Sequence, residues 1–106
     1  MAYTLSVPLD ANSKAAPFYS YANITTTTTT LVKTGAGFLH AIVLNKPVAT
    51  GTVKIDDAVT DTTPVIGTIT VPASPQPTTI VYDLAFTTGL TIVTGVAAQD
   101  ITVVYY

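Results

Sequence analysis

The sequence has no cysteine, tryptophan, arginine or glutamate, and it has a single histidine. Each absence removes a class of chemistry. Without cysteine there is neither a disulfide framework nor a thiolate metal site, and nothing in the chain reports a redox compartment. Without arginine, the lysines Lys14, Lys33, Lys46 and Lys54 stand scattered and unsupported. Phosphate binding requires clustered cations, so nucleic acid is not an expected partner. Long apolar runs are missing too. No window approaches the ~18 continuous apolar residues of a spanning helix, and "MAYTLSVPLDANSK" lacks the basic segment and apolar run of a secretory signal. The expectation is a soluble product of the cytoplasm with no membrane partner, in which the sequon Asn23-Ile24-Thr25 stays unmodified.

Charge is the scarcest property. Charged residues make up 9% of the chain, against about 25% in an average domain, and the net charge is -2. Hydrophobic residues make up 48% of the 106 residues, enough for one modest core in a single domain spanning residues 1–106. A surface so poor in charge gives little colloidal protection. The chain is therefore expected to hide surface against another subunit.

What is present is β-sheet grammar. "NITTTTTTLVKTGAG" holds six consecutive threonines, whose branched β-carbons favour the extended backbone. A flexible linker would use Gly, Ser or Pro instead, so residues 24–33 read as one strand, with Thr25, Thr27 and Thr29 on one face. "GAG" then supplies turn residues for a hairpin before Phe38. "YTLSV", stopped by Pro8, reads as a first strand. "FLHAIVLNK" is apolar on both faces, as in a central strand. "TVKIDD" alternates, with Val53 and Ile55 inward and Lys54 and Asp56 outward. "VIGTITV", "TTIVYDLAF", "LTIVT" and "ITVVYY" complete about eight short antiparallel strands between turn residues. The spacing predicts an all-β fold, a small β-sandwich or a jelly-roll-like barrel. Residues 8–23, with Phe18, Tyr19 and Tyr21, have no clear strand pattern and read as a loop or contact arm.

Candidate chemistry is sparse. His40 lies in the most apolar strand, where alternation places it on one face with Phe38, Ile42 and Leu44. It reads as a packed or interface histidine rather than a metal ligand or catalytic base. Asp56, Asp57 and Asp61 form the one acidic cluster, but their spacing lacks the glycine and closing glutamate of a calcium loop, so a solvated turn is the expectation. Among Asp10, Asp56, Asp57, Asp61, Asp83 and Asp100, nothing selects a pair for glycoside cleavage. "TGAGF" precedes no helix, so it is not expected to cradle a phosphate. No cofactor, no metal and no enzymatic activity are expected. The tyrosines Tyr3, Tyr19, Tyr21, Tyr82, Tyr105 and Tyr106 suit a protein interface, with a sugar-stacking platform as the alternative.

From about Leu31 onward, "LVKTGAGFLHAIVLNKPVATGTVKIDDAVTDTTPVIGTIT", "TTIVYDLAFTTGLTIVTG" and the terminal "ITVVYY" resemble a family of short phage structural proteins. The resemblance covers roughly two-thirds of the chain and rests on structural motifs. It implies a small β-sandwich carried on the virion, either as a capsid decoration (cement) protein or within a head or tail fibre, with no catalytic residues. On that reading the chain is a homotrimer whose partner is the major capsid protein. Phe18, Tyr19, Tyr21, Thr25, Thr27 and Thr29 are the expected contact residues. The alternative is a receptor- or glycan-binding module of a fibre.

Overall fold

Valine, isoleucine and threonine crowd one side of the backbone at Cβ, and the chain settles into strands between clusters of Gly, Pro and Asp. The structure, a computed structural model, describes residues 19–106. Among them are eight strands and no helix: β1 (Ser20–Ile24), β2 (Thr29–Thr34), β3 (Gly37–Lys46), β4 (Thr52–Asp56), β5 (Val65–Thr70), β6 (Thr78–Phe86), β7 (Gly89–Gly95) and β8 (Asp100–Tyr105). They form two four-stranded antiparallel sheets, ordered β1-β8-β3-β6 and β2-β7-β4-β5. The first expected strand, "YTLSV", lies outside the described residues.

The pairing is nested, with β4 beside β5, β3 beside β6, β2 beside β7 and β1 beside β8. That is one long hairpin rolled until its two ends close a sandwich, the jelly-roll arrangement. Only β4 and β5 are both consecutive and paired. Every other connection crosses between the sheets. The "GAG" turn is accordingly a corner and not the expected hairpin, because β2 and β3 lie in different sheets. Gly35 turns it at φ 89°, where a side chain would be strained. Gly37 then passes the Phe86 ring so closely that an added Cβ would lie 2.5 Å from it.

The core fills the space between the sheets. Leu39, Ile42 and Leu44 of β3 and Ile101 and Val103 of β8 meet Val53 and Ile55 of β4 and Leu90 and Ile92 of β7, with Phe86 closing one end. These come from the two inner strands of each sheet, where alternation puts one residue in two against the opposite sheet. β3 is central, as its two-sided apolarity predicts.

The threonine run is not one strand. β1 ends at Ile24, residues 25–28 form the corner between the sheets, and β2 begins at Thr29. Propensity favours extension, but the nested pairing forces the chain to change sheets within this stretch. Thr25, Thr26, Thr27, Thr28 and Thr29 are consequently all exposed and do not alternate between two faces. Thr94 of β7 locks the corner. Its buried hydroxyl donates to the Thr26 carbonyl at 2.6 Å and accepts the Thr28 N–H at 3.0 Å, while its own N–H donates to the Thr28 carbonyl at 2.9 Å.

Replacing Thr94 by valine keeps the branched shape but leaves a donor and an acceptor of the corner without that partner. The expected cost is about 1–3 kcal/mol, read as a lower urea midpoint at an unchanged m-value. A midpoint equal to that of the parent protein would show that the corner does not depend on this hydroxyl.

Candidate interaction surface

A sandwich must bury its inner faces, so the outer faces record what the chain meets outside itself. On the β1-β8-β3-β6 sheet, register aligns Tyr21, Val104, Ala41 and Val81 in one row across all four strands. Tyr21 is 74% exposed and Val81 58% exposed. The next row, Asn23, Thr102, Val43 and Thr79, is uncharged as well. Such a face departs from the usual alternation of apolar inside and polar outside.

At one end of the face stands His40, and its placement corrects the simple alternation. Leu39 and Ile42 are both in the core, although they lie three positions apart. The register shifts between Leu39 and Ala41 against both neighbouring strands. A β-bulge there turns His40 outward, away from the face of Ile42 and Leu44. Opposite it on β6, Asp83 adopts φ 47°, a left-handed conformation that Asp tolerates better than most residues. His40 Nδ1 donates to Asp83 Oδ1 at 2.5 Å, and the Tyr19 ring stacks on the imidazole with centroids 4.5 Å apart and planes 10° from parallel. The bulge thus ties the segment entering β1 to the middle of the sheet.

The other end is polar. Asp100 Oδ1 accepts from Asn23 Nδ2 at 2.7 Å and from Asn45 Nδ2 at 3.1 Å. Asn23 Nδ2 also donates to the Ile101 carbonyl at 2.9 Å, and Asn45 Nδ2 to Thr102 Oγ1 at 2.9 Å. The amide of the sequon is therefore engaged in stapling β1 to β8.

On the outer face of the β2-β7-β4-β5 sheet, residues 57–64 fold over the middle of one row, whose end residues Leu31 and Val65 stay exposed. Thr91 and Asp56, in that row, are fully buried, and Thr91 Oγ1 donates to the Ala58 carbonyl at 2.8 Å. Asp56 is thus not the solvated residue that "DDAVTD" suggests. Its Oδ2 accepts the Thr62 N–H at 3.3 Å, and its Oδ1 faces the Lys54 ammonium at 3.4 Å. Lys54 bridges on to Asp61 at 2.6 Å, and chiefly this hydrogen bond raises the Lys54 pKa above its ordinary value. The ammonium thus stands between the two carboxylates. Asp57 instead holds the β6–β7 corner, its Oδ1 accepting the Thr88 N–H at 2.8 Å and the Thr87 N–H at 3.0 Å.

The expected contact residues separate in space. Tyr19 and Tyr21 lie at the outer face of the first sheet, Thr25 and Thr27 in the corner beyond Ile24, and Thr29 on the outward row of the second sheet. Phe18 lies outside the described residues. Residues 20–23, expected within the arm, belong to β1. Val81, Val104 and Ala41 were not among the expected residues, although the apolar pairs "IV" in "TTIVYDL" and "VV" in "ITVVYY" imply apolar side chains on both faces. No cavity opens among the described residues. Compared with protein-family models and with curated proteins, the chain matches none.

Backbone N–H groups, the Thr88 donor foremost, hold the Asp57 carboxyl below its ordinary value of 3.8. A lowered folded value means that the unfolded chain binds more protons near pH 4, so this group's contribution to stability is complete above the ordinary value. It is lost as the pH falls through the folded value. Asp57→Asn is expected to be less stable than the parent at pH 7, with the difference shrinking below about pH 4. Denaturant titrations of both proteins from pH 7 to pH 2.5 measure it, and a difference independent of pH would remove the role given to the carboxylate.

Proposed function

We propose that the protein is a non-enzymatic structural component of a phage virion, a decoration protein that docks on the assembled capsid through the outer face of the β1-β8-β3-β6 sheet. The observation behind this reading is the uncharged row Tyr21, Val104, Ala41 and Val81, in which Tyr21 and Val81 are exposed, Val104 half-buried and the small Ala41 buried between its neighbours, on a chain with very little charge elsewhere. Exposed apolar surface of this kind marks interaction sites; on the opposite sheet residues 57–64 cover Thr91 and Asp56 in the middle of one outward row and leave its end residues Leu31 and Val65 exposed. The motifs that resemble short phage structural proteins support the same reading.

Its action is thermodynamic. A protein that binds the assembled shell, and not free capsid subunits, adds its binding free energy to the assembled state alone. The shell is then harder to disrupt by heat or internal pressure. The major capsid protein is the partner and the virion surface the location.

A second reading, a glycan-binding module, has one feature behind it. The amide and carboxylate cluster of Asn23, Asp100 and Asn45 lies beside the exposed Tyr21 ring, an arrangement of aromatic face and polar groups suited to a sugar.

Tyr21→Asp combined with Val104→Asp places two carboxylates in the row. If the row is buried against the shell, each costs about 2 kcal/mol or more, and occupancy on purified heads that lack the protein is expected to fall more than about tenfold. Circular dichroism checks that the fold survives. Undiminished occupancy of a folded variant would reject the docking face. Loss of binding to a glycan array, with occupancy on heads unchanged, would replace the leading reading by the second.

A further inference from the structure

The rolled hairpin leaves β6 at the rim of the first sheet. It pairs only with β3, and the backbone of residues 78–86 makes no other backbone hydrogen bond among the described residues. With nine residues, β6 is also the longest of the four rim strands, the others being β1, β2 and β5 with five or six. Proteins usually blunt such an edge with lysine, proline or a bulge, because its free N–H and C=O groups invite another strand. Here those devices stand only on either side of residues 78–82. Pro77 precedes the strand, and the bulge at Asp83 interrupts its second half. Between them "TTIVY", residues 78–82, is uncharged, free of proline and glycine, and high in β-propensity.

We infer that β6 pairs antiparallel with β6 of a second copy of this chain, across a two-fold axis at Ile80, joining two first sheets into one of eight strands. Pro77 and the bulge select this register. Centred on Ile80, the ladder uses residues 78–82 and sets Thr79 of each copy opposite Val81 of the other, on the outer face. Thr78 then meets Tyr82. Asp83 falls opposite Pro77, which has no N–H to offer, and the two Asp83 carboxylates stay about 20 Å apart, six residues at about 3.3 Å each. Centring one residue later would bring the bulge into the ladder, and one residue earlier would bring in Pro77. An interface of this symmetry is complementary to itself, so no other partner is required to complete the edge.

The inference goes beyond the shell-docking reading and does not depend on it. It does explain the exposure of Val81. In the pair, Val81 packs beside Thr79 of the mate, and the apolar row continues from one copy into the next.

Sedimentation velocity up to about 0.5 mM protein, enough to populate a dimer of sub-millimolar Kd, tests it. The parent chain is expected to show a concentration-dependent dimer. Thr79→Lys with Val81→Lys sets lysine against lysine across the axis and is expected to leave a folded monomer. Thr79→Lys with Val81→Glu sets lysine against glutamate twice and is expected to restore the dimer. All four substituted side chains point outward, and circular dichroism verifies each fold. A parent chain monomeric throughout, or an oligomer of any order indifferent to both charge patterns, would overturn the pairing.

Discussion

The nested antiparallel pairing governs the rest of the molecule. Because β1 must reach β8 while β4 turns directly into β5, successive strands alternate between sheets except at the centre of the chain. Two consequences follow from that geometry. The connections become corners that need their own hydrogen bonds, supplied by Thr94 for residues 25–28 and by Asp57 for the β6–β7 corner. The inner strands β8, β3, β7 and β4 supply most of the core, and the rim strands are left with one open edge each.

Much of this fold is legible in the sequence where the signal is local. The all-β class follows from the abundance of β-branched residues between turn clusters, and the centrality of β3 from its two apolar faces. The inward positions of Val53 and Ile55 follow from alternation alone. What escapes is set by distant partners. Six threonines favour extension whether or not a neighbouring strand lies beside them, so the corner at residues 25–28 is invisible until β1 and β2 are assigned to different sheets. The outward turn of His40 is hidden for a related reason. A bulge is a mismatch between two strands, and a single strand's pattern does not record it. Asp56 looks like a surface aspartate because the loop that covers it contributes to its burial only once folded.

The candidate surface was legible in part. Tyr19 and Tyr21 do lie at the exposed face, while Thr25, Thr27 and Thr29 do not share it. The missing members, Val104, Ala41 and Val81, come from three other strands and are brought into line with Tyr21 by register alone. Low charge over the whole chain leads to the expectation of a covered surface, and the rows of the assembled sheet supply the candidate for it. In the second sheet residues 57–64 cover Thr91 and Asp56, the middle of one outward row, and Lys54 faces the buried Asp56. The first sheet has no such cover among the described residues.

In the proposed docking, this first sheet is the face turned towards the capsid. The absence of natural cysteine permits a direct measurement with single-cysteine variants, Tyr21→Cys on the first sheet and Thr68→Cys on the second. Maleimide labelling rates are compared between the free protein and protein bound to heads. The thiol at position 21 is expected to become strongly protected on the particle while the thiol at position 68 reacts as it does in solution. Equal reactivity at position 21 in both states would contradict the docking.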